Sequence, residues 1–257
     1  MRDHAKPDGA RPQSASPRVH NAPRRVPAGA RLATPRAAAN DMSGRVEIIQ
    51  AWAPARIIDE TPVGGLSKRV FDAVASGVAL LVLLPLLLLI AAIVRLESEG
   101  PAIFKQERGG FRGKTFRIWK FRTMTVMENR GVVQAASKDC RFTRIGGFLR
   151  RSSLDELPQL VNVLIGDMSI IGPRPHAIEH DVQFEKVDPR YPARFDARPG
   201  VTGLAQVNGS RGPTETEEKI IARTGFDIEY VQAWSWARDL KILADTVKVL
   251  WRMDGAF

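Results

Sequence analysis

Two adjacent carboxylates, Asp155 and Glu156, have the residue type and spacing to do chemistry. They directly follow a basic cluster, formed by Arg141, Arg144, Arg150 and Arg151. Arginine side chains bind phosphate, and a divalent cation can join a carboxylate to the same phosphate. The pair therefore indicates phosphate chemistry in which a divalent cation lies between the carboxylates and the ligand.

A helix is predicted immediately after the pair, and Gly166 is its natural C-terminal stop. This helix would place Asp155 at or near the N-cap, where unpaired N–H groups favour a phosphate. A structural alternative is a capping box from Ser153 to Glu156, which would explain both residues without any ligand. The apolar face of the predicted helix consists of Leu157, Leu160, Val161 and Leu164.

The composition of the chain limits the kinds of ligand or partner that it is expected to bind. The chain has 257 residues and a formal net charge of +10, which suggests nucleic acid, anionic lipid or a phosphorylated ligand. Cys140 is the single cysteine, so no intramolecular disulfide can form. Residues 1–45 are rich in Pro, Ala and Arg and predict a disordered basic tail, and residues 46–66 predict a linker.

A membrane helix is predicted over residues 67–95. Residues 73–94 carry no charge, and as a straight helix they would reach about 33 Å, enough to span a hydrocarbon core of about 30 Å. Pro85 lies in the middle of this run, and both flanks are basic. Because positive charge favours the cytoplasmic side, the pattern favours a kinked re-entrant hairpin over a spanning helix.

A second helix with membrane character is predicted over residues 237–251, after Trp234 and Trp236. Its apolar stripe and basic opposite face fit a membrane–water interface. The same stripe would also fit packing against the core of the domain, and the sequence leaves both interpretations open. The stripe consists of Leu240, Leu243, Val247 and Leu250.

Residues 104–124 predict a β-hairpin with a basic face. Its position just after the membrane segment would suit contact with a lipid phosphate, and a plain solvated face is the alternative. The candidate residues for that contact are Lys105, Arg108, Lys120 and Arg122. Further along, two prolines stiffen the loop that carries Arg174, and a rigid guanidinium suits bidentate phosphate recognition. Residues 198–204 form a second loop of this kind, beginning at Arg198.

Two rival functions follow from other features. His176, Glu179 and His180 match the order His-x-x-Glu-His, which is the pattern of a zinc hydrolase. The basic tail would instead suit a non-enzymatic, membrane-tethered adaptor that binds nucleic acid or anionic lipid.

Taken in order, the motifs of this chain resemble the bacterial sugar transferase family, the monotopic polyprenyl-phosphate phosphoglycosyl transferases. The resemblance runs from about residue 68 to residue 251. Its specific parts are KRVFD at 68–72, QERGG at 106–110, KFRTM at 120–124, RFTRIG at 141–146, LRRSSLDELPQ at 149–159, GDMS at 166–169, GPRP at 172–175, PGVTGLAQVNG at 199–209 and DIEY at 227–230.

The resemblance implies an α+β fold, predominantly helical with a small β-hairpin, in a monotopic membrane protein with a re-entrant helix kinked at Pro85 and interfacial amphipathic helices. The catalytic domain would span residues 96–257. It would transfer hexose-1-phosphate from a UDP-sugar to undecaprenyl phosphate and release UMP.

Asp155 would be the nucleophile that carries the phosphosugar, and Glu156 would be the ligand of a Mg²⁺ ion. Phosphate or substrate binding is assigned by the same resemblance to Arg144, Arg150, Arg151, Arg174 and Asp227. Asp227 could alternatively bind the metal or support a site residue from behind.

The implied location is the bacterial inner membrane, with the catalytic domain facing the cytosol and contacting membrane lipid. The product would pass to downstream glycosyltransferases in exopolysaccharide synthesis; nucleic acid is not an expected partner, and a homodimer is compatible with the sequence. Leu84 precedes Pro85 where the family commonly has Ser, so a hydroxyl that could cap the broken helix is absent. Residues 208–212 and 217–219 favour glucose or galactose as the sugar.

Overall fold

The computed structural model describes residues 61–125 and 141–252; the predicted tail and most of the predicted linker lie outside these residues. The described part is predominantly helical with two small sheets, which confirms the α+β prediction. The helices are α1 (Gly65–Glu97), α2 (Arg144–Arg151), α3 (Gln159–Ile165), α4 (Ile178–Val187), α5 (Leu204–Val207), α6 (Glu217–Gln232) and α7 (Trp236–Arg252). The strands are β1 (Ile103–Gly109), β2 (Thr115–Phe121), β3 (Ser169–Ile171) and β4 (Gly200–Thr202).

Helix α1 contains the predicted membrane segment and runs through Pro85. It is long and apolar enough to cross a membrane. Its middle is exposed, including Leu81, Leu84 and Leu88, whereas buried residues lie only toward its two ends. The apolar middle therefore has little contact with the protein and requires another apolar environment.

The N-terminal part of α1 is fixed to the domain by buried polar contacts. Lys68 Nζ lies 2.6 Å from Asp239 Oδ2 of α7, and both side chains are buried. Asp72 Oδ1 accepts a hydrogen bond from the backbone N–H of Ile170, the middle residue of β3. Arg69 donates to the carbonyl of Val163 near the end of α3. Three elements of the domain thus hold this end of the helix.

The C-terminal end of α1 is held by the same domain. Arg122 donates to the carbonyl oxygen of Val94 in the last turn of the helix and to those of Ser98 and Glu99 just beyond it. Glu97 accepts from the backbone N–H of Ile145 in α2. The prediction that Arg122 contacts lipid phosphate is wrong, because its guanidinium is buried and engaged at this helix end.

The predicted hairpin is confirmed. Strands β1 and β2 pair antiparallel, with Ile103 opposite Phe121 and Gly109 opposite Thr115. On β2, Asn162 of α3 accepts from the N–H of Trp119 and donates to the carbonyl of Arg117. This buried amide satisfies backbone groups that a third strand would otherwise pair, and it fixes the hairpin against the middle of α3.

The second sheet is a short parallel pair, in which Ser169 lies opposite Gly200 and Ile171 opposite Thr202. It leads directly into the loop of Arg174. A Cβ atom at position 203 would collide with the carbonyl oxygen of Gly172, so the close approach of these backbones requires Gly203. Arg198, just before β4, donates to the carbonyl of Gly166 and so has a structural contact.

The hydrophobic core consists of four clusters of buried side chains. The first joins the end of α1 to β2 and α2 through Val94, Phe121 and Leu149. The other three are Phe116, Ile118, Val163 and Met168; Ile171, Ala197, Tyr230 and Ile242; and Phe184, Tyr191, Phe195 and Ile220.

Helix α7 directs Asp239 and Ile242 into the domain and leaves most of its apolar stripe in solvent. Leu240, Leu243 and Val247 are all exposed. The structure therefore rejects the interpretation in which this stripe packs on the core. The edge-on contact between Phe71 of α1 and Trp236, whose ring centroids are 5.4 Å apart, joins the exposed apolar faces of the two helices.

We expect Asp239→Ala to lower the free energy of unfolding by about 3–5 kcal/mol, because it leaves the ammonium group of Lys68 buried without its anion. Asp245→Ala on the same helix is the matched control. It removes a surface pair with Lys248 and should leave the free energy of unfolding almost unchanged. Denaturant unfolding of the detergent-solubilised protein measures both values, and equal losses would contradict the role of the buried pair.

Candidate active site

The carboxylate pair lies on a 3₁₀ turn, Leu154–Glu156, between α2 and α3. Asp155 is near the start of α3, as predicted, but it is not the N-cap, because α-helical geometry begins at Gln159 and Pro158 is the N-cap. The stop at Gly166 is confirmed, with φ 103°. The capping box is also wrong, since Ser153 makes no capping bond and its hydroxyl accepts instead from Arg211.

Ser153 itself has a left-handed backbone, with φ 57°. Such a conformation is uncommon for a residue other than glycine and tends to occur at functional sites. It turns the chain sharply between the end of α2 and the 3₁₀ turn, which allows Asp155 to face the interior of the domain. The apolar face predicted for α3 also differs: Gln159, Asn162 and Val163 are buried, and Leu164 is exposed.

Asp155 is 7% exposed, and its carboxylate accepts no hydrogen bond from the residues that the structure describes. Burial, and then the neighbouring charge of Glu156, raise the pKa of Asp155 to about 6. At neutral pH the group is therefore an ionised carboxylate with unused lone pairs in a poorly solvated place. Such an oxygen is well prepared to act as a nucleophile.

Glu156 has the opposite environment. Arg174 binds it with two hydrogen bonds, Nη2 to Oε1 at 2.6 Å and Nη1 to Oε2 at 3.2 Å. Lys120 Nζ lies 2.8 Å from Oε1. Burial alone would raise the pKa of Glu156, but these two cations hold it well below its usual range. The two adjacent carboxylates therefore have different roles, one paired and one free.

Lys120 and Arg108 belong to this site, and the prediction that they lie at the lipid interface is wrong. Alternation along β2 puts Lys120 on the same face as the buried Phe116 and Ile118, and Arg108 lies opposite Phe116 on the same face. The alternation of inward-facing and outward-facing residues in the hairpin was the sequence signal that could have placed both residues at the site. Burial, and then the charge of Arg174, lower the pKa of Arg108 to about 10.

Lys105 faces the other side of the hairpin, with its Nζ 3.9 Å from the centre of the Trp119 ring. Its contact with lipid phosphate stays a prediction. Arg150 stacks on Phe142 and is close enough to Asp155 to lower the pKa of that carboxyl group. Arg144 and Arg151 are exposed on α2, so their assigned role in phosphate binding also stays a prediction.

Arg211 is a site residue that the sequence interpretation missed. It lies in the loop after α5, donates to Ser153, and has its Nη1 buried without a partner among the described residues. Burial lowers its pKa, and the charges of Glu156, Arg174 and Asp155 also act on it. Its contact with Ser153 joins positions 58 residues apart in the chain, so no local pattern could have revealed it.

Asp227 does not face the site. Its carboxylate is buried against Arg194, with Oδ2 2.8 Å from Nη2, so the prediction that it binds substrate or metal directly is wrong and the alternative of a supporting position behind the site is left. The nearest link to the site is indirect, since Arg194 also donates to the carbonyl oxygen of Arg174.

The zinc-site interpretation is also wrong. His176 precedes α4, so it does not share a helix face with His180. Its Nδ1 lies 2.6 Å from the Tyr191 hydroxyl and its Nε2 lies 3.2 Å from Arg223, which leaves neither nitrogen for a metal. Burial, then the charges of Arg194 and Arg223, lower its pKa well below the usual value. Within residues 61–125 and 141–252, no cluster of three ligating side chains is present.

The fold and site define a membrane-associated protein with a carboxylate pair surrounded by cationic side chains, which is the kind of site that phosphoryl chemistry uses. Comparison with protein families agrees with this class: the family model described as "Bacterial sugar transferase" matches residues 63–253. The chain belongs to the bacterial sugar transferase family.

Curated relatives support the same family. The chain is 53% identical over 193 residues to the UDP-glucose:undecaprenyl-phosphate glucose-1-phosphate transferase of Caulobacter vibrioides, covering 75% of this chain and 72% of the relative. It is 50% identical over 192 residues to the protein of that name in Escherichia coli, covering 73% of this chain but only 41% of the relative. It is 36% identical over 227 residues to the exopolysaccharide production protein ExoY of Rhizobium meliloti, covering 80% and 97%.

The adaptor hypothesis depends on residues 1–45, which are not described by the structure. Membership of a transferase family favours an enzyme over an adaptor for the part of the chain that the family model matches.

We expect Asp155→Asn to stabilise the metal-free protein above pH 6. A carboxyl group whose pKa rises from 3.8 to about 6 on folding holds its proton more tightly in the folded state, so its ionisation costs stability as pH rises through this window. Asparagine removes that cost, which is on the order of 1–3 kcal/mol. The unfolding temperatures of the wild type and of Asp155→Asn are measured between pH 4 and pH 8 in the presence of a chelator. The difference between them should grow up to about pH 6 and stay constant above it.

Glu156→Gln is the matched comparison on the neighbouring residue. It removes the anion of Arg174 and Lys120, so it should lower the unfolding temperature at neutral pH. If both substitutions shifted the temperature in the same direction, the assignment of one free and one paired carboxylate would be contradicted.

Proposed function

We propose that this protein transfers hexose-1-phosphate from a UDP-sugar, with glucose favoured over galactose, to undecaprenyl phosphate, and releases UMP. The observation that carries the proposal is the contrast between Asp155, which is buried and accepts no hydrogen bond from the described residues, and Glu156, which is held by Arg174 and Lys120. The printed names of the Caulobacter and Escherichia relatives supply the donor and the acceptor. Because the chain spans less than half of the Escherichia protein, these substrates are a proposal for this chain.

The first step is attack by a carboxylate oxygen of Asp155 on the phosphorus that carries the sugar. The bond from that phosphorus to the UMP oxygen breaks, and the sugar phosphate becomes an acyl phosphate on Asp155. In the second step a phosphate oxygen of undecaprenyl phosphate attacks the same phosphorus. The Asp155–phosphorus bond breaks, and the carboxylate is restored. Two anionic substrates can thus use one site in turn, without having to approach each other.

Cations around the pair outnumber the two carboxylates, which suits a phosphorylated substrate. A diphosphate entering the site would compensate this surplus, and the charge that develops on the leaving UMP would be stabilised by groups already in place. The cationic side chains whose charges act on the pair are Arg108, Lys120, Arg150, Arg174 and Arg211.

The residues fit the Mg²⁺ ion that the family resemblance implies. Oε2 of Glu156 accepts only one hydrogen bond, at 3.2 Å, and so keeps a lone pair for a cation. Mg²⁺ commonly takes one or two protein carboxylates and completes its shell with phosphates and water, so the absence of a three-ligand cluster within the described ranges is compatible with it. Glu156 would hold the ion, which would neutralise diphosphate charge when bound.

We also propose that α1 is re-entrant. Lys68 and Asp72 near one end, and Val94 near the other, all bind the same domain, and a spanning helix would place these ends on opposite faces of the membrane. From Pro85 the nearest buried residues are Ser76 and Ile90, so each free arm reaches at most about 14 Å. That is less than half of a hydrocarbon core of about 30 Å.

With α1 inserted in this way, the exposed stripe of α7 would lie at the membrane–water interface, and the domain would lie on the cytosolic side of the inner membrane. Its acceptor is a membrane lipid, so this arrangement keeps the site near the depth of the lipid phosphate. The lipid-linked sugar phosphate would then be the substrate of downstream glycosyltransferases.

Asp155→Asn should lower UMP release by at least roughly 10³-fold, because an amide cannot form the acyl phosphate that carries the sugar. The assay contains purified protein, Mg²⁺, undecaprenyl phosphate and a panel of UDP-sugars. Rapid quench followed by intact-mass measurement should show a sugar phosphate on the wild type and none on the variant. Glu179→Gln is the control, because this exposed carboxylate would be essential only to the rejected zinc hydrolase. Persistent activity in Asp155→Asn would overturn the mechanism.

Re-entrance can be tested with single cysteines at Leu66 and Leu96, two exposed positions at the two ends of α1, in a Cys140→Ser background. In inverted membrane vesicles a membrane-impermeant maleimide should label both positions, and in spheroplasts it should label neither. Labelling of one position from each side would show a spanning helix and refute the proposal.

A further inference from the structure

A cluster of buried polar side chains lies behind Arg174 and takes no part in the chemistry proposed above. It contains both the histidine of the rejected zinc pattern and the aspartate that was wrongly assigned to substrate binding. Its members are His176, Asp181, Tyr191, Arg194, Arg223 and Asp227, each no more than 7% exposed. Six buried polar groups are costly unless they are satisfied, so the way they are paired is informative.

Arg194 connects this cluster to the loop of Arg174. Its Nη2 donates to the backbone carbonyl of Arg174 at 2.5 Å and lies 2.8 Å from Asp227 Oδ2. Asp227 thus compensates the buried positive charge of Arg194. The same guanidinium holds the backbone of Arg174, the residue that binds Glu156.

Arg223 makes the equivalent contact with the loop that carries Arg211. Its Nη2 donates to the carbonyls of Ser210 and Gly212, both at 2.6 Å. These residues flank Arg211, which reaches Ser153 beside the carboxylate pair. Each of the two loop arginines beside the carboxylate pair is therefore supported by one buried arginine. Arg194 supports Arg174, and Arg223 supports Arg211.

His176 joins the two supports. Arg223 can only donate, so His176 Nε2 accepts from it at 3.2 Å. The neutral ring then carries its proton on Nδ1 and donates to the Tyr191 hydroxyl at 2.6 Å. Tyr191 accepts from Arg194 at 2.9 Å and donates to Asp181 at 2.5 Å. A continuous chain of hydrogen bonds thus runs from one loop to the other.

We infer that Arg194, His176 and Arg223 are positioning residues that set the spacing of Arg174 and Arg211 around a bound diphosphate. The inference rests on the proposed function. Each arginine uses the fork of its guanidinium to hold two or more acceptors at once, which a lysine ammonium cannot do with the same geometry. Small displacements of groups that orient a reacting phosphate have large effects on rate.

Double-mutant cycles test this inference. Arg194→Lys should lower kcat for UMP release by roughly 10–100-fold. In an Arg174→Lys background it should cause little further loss, within roughly 3-fold, because both substitutions disturb the same group. Arg223→Lys should couple in the same way to Arg211→Lys. A purely structural role would instead give losses that multiply in both cycles, and that result would overturn the inference.

Two further variants keep the test decisive. Arg198→Lys is the matched control, because Arg198 also holds a loop carbonyl but that of Gly166, outside this chain; its kcat should stay within roughly 3-fold of the wild type. Tyr191→Phe keeps the ring and removes only the hydroxyl between His176 and Arg194, so it applies if Arg194→Lys does not fold. A Tyr191→Phe protein with unchanged kcat would contradict the inference.

Hydrogen exchange gives a readout that does not depend on turnover. Residues 172–176 and 208–212 should exchange faster in Arg194→Lys and Arg223→Lys respectively, and both should be unchanged in Arg198→Lys. Unchanged exchange in all three variants would overturn the positioning role even if the wild type released no UMP. A wild type that releases no UMP, with exchange altered as expected, would overturn the proposed function and leave the positioning of the two loops supported.

Discussion

Two adjacent carboxylates buried in one turn are the constraint on which this domain depends. Both cannot be ionised in a poorly solvated place unless cations approach them, and the cations come from distant parts of the chain. Lys120 arrives from β2 and Arg174 from the loop after β3, and both bind Glu156. Asp155 receives no such partner from the described residues, so the same turn contains one carboxylate paired with cations and one that is not.

This asymmetry explains why the surrounding structure is so polar inside. Arg174 can hold Glu156 only if its own backbone is fixed, and Arg194 fixes it from behind. Arg194 in turn requires Asp227 as its counter-charge. Each buried charge in this series thus requires a buried partner of opposite charge or a hydrogen-bonding group. The series ends at Asp227, inside the domain, and not at the surface.

The membrane anchor is coupled to the same elements. Asp72 of α1 binds the backbone of β3, the strand that leads into the Arg174 loop, and Arg122 binds the other end of α1 directly after the strand that carries Lys120. The depth of the anchor and the position of the site cations are therefore set by neighbouring residues. For an enzyme whose acceptor is a lipid phosphate, such coupling would keep the site at the height of its substrate.

Much of the fold was predictable from local patterns. The uncharged run around Pro85 predicted α1, glycines between alternating segments predicted the hairpin, and periodicity predicted α7. Alternation along β2 also contained the information that Lys120 faces inward, although the basic composition of the hairpin suggested a solvent or lipid face. The start of α3 was mispredicted because apolar spacing continues through the 3₁₀ turn, which periodicity cannot distinguish from an α-helical turn.

The sequence by itself determined the family, the adjacent carboxylates and the apolar helix, because each is identified by contiguous residues. Only the tertiary structure decided which cations reach Glu156, that Arg211 belongs to the site, and that Asp227 and His176 lie behind it. These assignments depend on contacts between residues far apart in the chain, such as Arg211 with Ser153 and Arg194 with Asp227. Local propensity does not encode such contacts, because they arise only when burial forces charged groups to find partners.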